Sequence, residues 1–144
     1  MARPRGGIDK FVGDEVVAMF MPLAAGDRHA AQATCAARAI LRATGHGDPH
    51  GPWLPVGAGV HTGEAWVGTI GDETHVEMTA LGDVVNTAAR LASAADAGEV
   101  VVSVDAALAA GLEADLPRAM LDLKGKQAPF EVVRLTASAV SARA

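Results

Sequence analysis

Asn86 and Arg90 stand four residues apart in the stretch Asp83-Val-Val-Asn86-Thr-Ala-Ala-Arg90-Leu91. Its spacing predicts a helix, so the two side chains project from one face. A neutral donor beside a fixed cation can hold a developing anion. A solvated helix face explains the same pair without any chemistry. Lys10, Lys124 and Lys126 are the only lysines, and the other nine of the 12 basic residues are arginines. A chain that uses Arg for its solvated surface invites a reason for each Lys, although chance placement remains open. Asp14, beside Gly13, reads more readily as a turn former than as a metal ligand.

Other signals are weaker. His46, Asp48 and His50 have zinc-ligand types, but their short spacing in a Gly/Pro-rich loop is poor evidence for a site. His61 reads as a hydrogen-bonded structural histidine. Gly57-Ala-Gly59-Val-His-Thr-Gly63 imitates a dinucleotide fingerprint, but its third glycine is one residue late and a strand is expected to follow. No GxxxxGK[ST] phosphate loop exists, and no Ser or Cys stands in a nucleophile elbow.

The elements that must position these residues follow from pattern. Ile8 to Val12 and Glu15 to Met21 read as strands joined at Gly13-Asp14. Asp27 is expected to cap a helix running to Thr44, with Ala30, Ala33, Ala37, Ile40 and Leu41 as its apolar stripe and Gly45 as its stop. Val56 to Thr62 and Ala65 to Ile70 are expected to form a second hairpin about Gly63-Glu64. Asp83 is the expected N-cap of a helix to Ala95 with Val84, Ala88, Leu91 and Ala95 inward. A strand over Glu99 to Ser103, a short helix from Asp105, and strands over Met120 to Leu123 and Phe130 to Leu135 complete an α+β pattern, with Lys124-Gly125-Lys126 in the last turn. Cys35, the single cysteine, is expected to be a small core residue.

Composition bounds the rest. At 144 residues the chain is one domain's worth. Half of it is apolar but only 3% is aromatic, so the core must be built from Ala, Val and Leu. A net charge of -5 argues against a nucleic-acid partner. The longest apolar run, Val16 to Ala25, is broken by Pro22 and falls far short of the roughly 20 residues of a membrane span. No secretory signal is seen, so a cytoplasmic location is expected.

Taken together, Lys10-Phe-Val-Gly13-Asp14, Gly59-Val-His61-Thr-Gly63-Glu64, Gly82-Asp83-Val-Val-Asn86-Thr-Ala-Ala-Arg90-Leu91 and Leu123-Lys124-Gly125-Lys126 closely resemble the class III nucleotidyl cyclases, in order and in spacing. The resemblance runs from about Gly6 to Leu135, and Gly82 to Leu91 is its most specific piece. It implies a ferredoxin-like cyclase fold over 1–135, with 136–144 a flexible tail. It also implies synthesis of cyclic AMP and pyrophosphate from ATP. By position, Asp14 matches one of two metal-binding aspartates for Mg2+ or Mn2+, and Lys10 and Thr79 match the base-reading pair in its adenine form. Asn86 and Arg90 match the pair that orients ribose and stabilises the pentavalent phosphate. Lys124 matches the triphosphate contact. A lysine donates to a ring nitrogen, which suits adenine N1. The expected partners are ATP and a second cyclase domain, as homodimer or heterodimer.

One departure from the family is expected to matter. Its domain begins with a central strand carrying the other metal aspartate, then a phosphate-cradling turn, and Met1 to Arg5 contains no carboxylate. The chain is therefore expected to be an N-terminally truncated domain with at most half of a two-metal site. The alternative to an enzyme is a non-catalytic, cyclase-like module that binds nucleotide or dimerises.

Overall fold

The structure is a computed structural model that describes residues 6–12, 14–74, 76–112 and 114–139. The core is organised by a four-stranded mixed sheet. Its strands are β3 (Ala58–Val60), β6 (Val100–Ser103), β7 (Arg118–Leu121) and β8 (Phe130–Leu135), in the order β3-β6-β8-β7. β3 runs parallel to β6, and the other pairs are antiparallel. The run Val100-Val-Val-Ser103 is buried at every position, as a strand covered on both faces requires.

One face packs on α2 (His29–Ala43) and α4 (Val104–Ala109), through Ala37, Leu41, Val100, Val102, Ala106 and Val133. The opposite face receives α3 (Asp83–Ala94), through Leu91, Val101, Ala119, Leu123 and Val132. Each fully buried Val or Leu contributes roughly 1.5–3 kcal/mol. Gly59 is where α3 meets β3 most closely: a Cβ there would lie 2.3 Å from Ala92 N and 2.6 Å from Ala88 O. The glycine of the failed dinucleotide fingerprint is thus a packing device for the helix that carries Asn86 and Arg90. Arg134 of β8 forms a buried ion pair with Glu99, Nη1 to Oε2 at 2.8 Å.

Two antiparallel hairpins flank the sheet. β1 (Gly7–Val12) pairs with β2 (Glu15–Met19), Lys10 opposite Val17. β4 (Trp66–Gly71) pairs with β5 (Val76–Leu81), Gly68 opposite Thr79. β1 approaches β5 without pairing.

The α+β class holds, and several local expectations are corrected. Val56 to Thr62 and Ala65 to Ile70 do not form a hairpin: β3 pairs with β6, and β4 pairs with β5, a strand with no counterpart in the sequence expectations. Val60 belongs to the buried core while β4 is largely exposed, so the two runs answer to different neighbours. The helix expected from Asp27 starts instead at His29, without a side-chain cap. Pro22 nucleates a separate turn, α1 (Pro22–Ala25), and a 3-10 turn over Gly26–Arg28 intervenes.

Cys35 is exposed rather than in the core. The buried stripe of α2 is Ala30, Thr34, Ala37 and Leu41, and residue 35 lies off it, as does the exposed Ile40. Thr136 to Ala139, the described part of the expected tail, is tied to α2. Arg38 Nε donates to Thr136 O at 3.0 Å, Arg42 Nη1 donates to Ala137 O at 2.6 Å, and Ala137 is buried.

Candidate active site

Asp83, Asn86 and Arg90 fall at i, i+3 and i+7 on α3, one face, while Thr87 and Leu91 are buried against the sheet. Gly82, not Asp83, is the N-cap, and it offers no side-chain bond. Asp83 is the first helical residue. Its carboxylate is engaged elsewhere, accepting a hydrogen bond from Lys126 Nζ across the 123–126 turn. That hydrogen bond is the main reason the Asp83 carboxyl sits below the usual carboxylate range; desolvation opposes it, and the charges of Lys126, Arg90 and His61 reinforce it. An anion at a helix N-terminus also suits the helix dipole.

The turn is held at two further points. Leu123 is buried beside Leu91 in the core under α3, and Lys126 N donates to Leu123 O at 3.0 Å. Gly125 adopts φ +83°, which lays its bare backbone against the Arg90 guanidinium. A Cβ there would sit 3.2 Å from Nη1 and 3.4 Å from Nη2. Helical side chains lean toward the N-terminus, so Arg90 covers the level of Asn86. Arg90, Asn86 and the turn bearing Lys124 therefore share one corner. Lys124 and Asn86 are exposed, and neither forms a hydrogen bond or ion pair among the described residues.

His61 lies behind this corner, half-buried. Its Nδ1 is 2.7 Å from Ser103 Oγ, which also accepts from Ala106 N at 3.2 Å and so caps α4. Phe130 meets the ring edge-on, with centroids 5.6 Å apart. Burial pushes the imidazole below its ordinary pKa, Asp105 opposes that, and Lys126 adds to it. Ser103, Val104, Asp105, Phe130 and Glu131 line a cavity of about 150 Å³. Typical small-molecule pockets run to about 300–1,000 Å³, so this cavity is small for such a ligand.

The remaining sequence candidates lie on the hairpins. Asp14 is exposed in the β1–β2 turn. Lys10 is on β1 and Thr79 on β5, two strands that approach each other without pairing; both side chains lie outside the described residues. Asn86 and Arg90 thus share a face of α3, against which Gly125 brings the turn that bears Lys124, and no hydrogen bond or ion pair among the described residues ties Asp14 to them. His46 serves the backbone, its Nε2 accepting from Val56 N at 3.1 Å. No three His, Cys, Asp or Glu among the described residues gather as a metal site. Sequence reasoning missed the partnership of Asp83 with Lys126. The Lys-Gly-Lys spacing was its only trace.

The family model for the adenylate and guanylate cyclase catalytic domain matches residues 10–133. The chain belongs to that family, whose members bind nucleotide, act as dimers and generally use divalent metal ions. It is 38% identical over 88 residues to the terminal-differentiation-specific adenylate cyclase of Dictyostelium discoideum, covering 59% of this chain and 4% of that one. It spans less than a fifth of the length of the curated relatives it matches, all of which carry adenylate cyclase names. The adenylyl cyclase CyaB from P. aeruginosa superposes with a TM-score of 0.62 at 27% identity, over 96% of this chain and 73% of that one. The guanylyl cyclase Cya2 superposes with a TM-score of 0.74 at 24% identity, over 96% and 72%, and shows the cyclase fold. No helix among the described residues is long and apolar enough to cross a membrane.

Proposed function

We propose that this chain is an adenylate cyclase domain that supplies the nucleotide-positioning side of a site converting ATP to 3′,5′-cyclic AMP and pyrophosphate. The observation that carries the reading is the single corner formed by Asn86, Arg90 and the Lys124 turn. Cyclisation joins the ribose 3′-oxygen to the α-phosphorus and breaks the bond to the departing pyrophosphate. Charge grows on the phosphate oxygens as it does so, and fixed donors contribute most where charge develops. Lys124, exposed and unpaired among the described residues, meets the triphosphate. Asn86 orients the ribose, and Arg90 faces the α-phosphate. Lys10 and Thr79 read adenine from strands that approach each other, in keeping with the adenylate cyclase names of the relatives. The working unit is a homodimer or heterodimer with another cyclase domain.

Asp14 is the residue that would hold Mg2+ or Mn2+, which supplies charge neutralisation in such chemistry. One exposed carboxylate falls short of a two-ion set, and no fuller cluster gathers among the described residues. This chain's own residues therefore bind, orient and neutralise charge. The same observation favours a second reading, a nucleotide-binding or dimerising module without turnover.

Complementation separates the two. Mixed with a cyclase domain whose own Asn and Arg are substituted, the chain is expected to restore cyclic AMP synthesis. Arg90→Ala should reduce the restored rate by about 100-fold or more, the scale of a lost transition-state donor. Asp14→Ala should leave it, since metals in that mixed site are held by the partner domain. Rescue that needs Asp14 but ignores Arg90 would sink the proposal. Binding of a non-cyclisable ATP analogue without turnover in any mixture selects the second reading.

A further inference from the structure

The two lysines of the 123–126 turn are in different situations. Lys124 is exposed and forms no ion pair among the described residues, whereas Lys126 is mostly covered and reaches Asp83 at the first position of α3. Asp83 and Arg90 sit two helical turns apart on one face, about 10 Å along the axis. The turn touches both ends of that span: Lys126 holds Asp83, and the Gly125 backbone lies against Arg90. Asn86 lies between the two attachment points. The third anchor, Leu123, is apolar and fixes only the root of the turn.

We infer that Asp83 and Lys126 are positioning residues, a clasp that closes the 123–126 turn over the Asn86–Arg90 face and thereby aims Lys124 at an anionic phosphate group. Leu123 alone permits the turn to pivot. With the clasp closed, the turn has one orientation, and Lys124 enters the corner already aligned with Arg90. Engaging Lys126 with Asp83 also keeps a second mobile cation from competing for the same anion. The hydrogen bond from Lys126 in turn holds the Asp83 carboxyl below the usual carboxylate range. The inference rests on the nucleotide reading above for the identity of the anion, but not for the clasp itself.

Two measurements on the full chain test it. In the nucleotide-free state, amide exchange of Lys126 N–H, which closes the turn onto Leu123 O, should quicken about two- to five-fold in Asp83→Asn and in Lys126→Met, the scale of one partly covered ion pair. Asp83→Glu should stay near wild type. For binding, with inorganic tripolyphosphate and a non-cyclisable ATP analogue as probes, Asp83→Asn should weaken affinity by a similar factor. That loss should vanish in a Lys124→Met background, because the clasp acts through Lys124. A merely destabilising substitution would weaken both backgrounds alike. Unchanged exchange with intact probe binding overturns the clasp. So does tighter binding by Asp83→Asn, which would mean that Lys126 itself takes the phosphate once freed. A wild-type chain that binds neither probe overturns the phosphate-facing role together with the nucleotide reading, whatever the exchange result, so the two failures are told apart.

Discussion

The four-stranded sheet and the β4–β5 hairpin are built from similar residues and behave oppositely. Val100, Val101 and Val102 in β6 are wholly buried between helices, while Trp66 and Ile70 in β4 remain 55% and 50% exposed. Each of the two strands carries three large apolar residues; what differs is whether a helix covers it. The sheet is where burial free energy accumulates, and α3, with its chemistry, is riveted to that rigid part through Gly59 and Leu91. Lys10 and Thr79 lie on β1 and β5, outside that sheet. The corner proposed to neutralise charge thus sits on the helix packed against the sheet, and the residues proposed to read the base sit on the hairpins.

The sharpest way to break that contrast is a pair of truncations. Leu91→Ala should cost about 2–5 kcal/mol of stability, read by denaturant unfolding, because a fully buried leucine leaves a cavity. Ile70→Thr should stay within about 0.5 kcal/mol, as substitutions away from packed sites usually do. Equal losses would mean that the hairpin contributes as much to the core as the sheet.

A smaller effect tests how tightly the corner is attached to the rigid part. Gly125→Ala adds a methyl group at φ +83° against the Arg90 guanidinium and should cost about 1 kcal/mol. Its effect on nucleotide-analogue affinity should exceed its effect on unfolding midpoint, since the strain displaces Arg90 rather than the sheet. A purely global destabilisation would contradict that.

The smallest effect concerns His61, which joins the corner to the sheet through Ser103. Burial lowers its folded pKa from the ordinary 6.5, so the unfolded chain takes up the proton first as pH falls. The folded state then binds fewer protons, and stability rises with pH across the window just below 6.5. Wild type should lose stability on going from neutral to acidic pH by more than His61→Asn does. An identical pH profile for both would remove His61 from the account.

The sequence by itself determined the α+β class, both long helices within a few residues, and the terminal strand Phe130–Leu135, because each carries a local apolar pattern. It also determined that Asn86 and Arg90 share a face, since helical spacing is fixed by backbone geometry. Only the tertiary structure decided which strands pair. Val56 to Thr62 and Ala65 to Ile70 look like a hairpin locally, yet β3 joins β6, roughly 40 residues away in the chain, because the sheet offers it burial that a solvent-exposed hairpin cannot. The same holds for Asp83. As a short acidic residue before a helix it reads as a cap, and it became an ion-pair partner because folding brings Lys126 to it from 43 positions along the chain. Neither a pairing nor an ion pair at such separation leaves a period in sequence, since its energy arises only after the core has brought the two segments together.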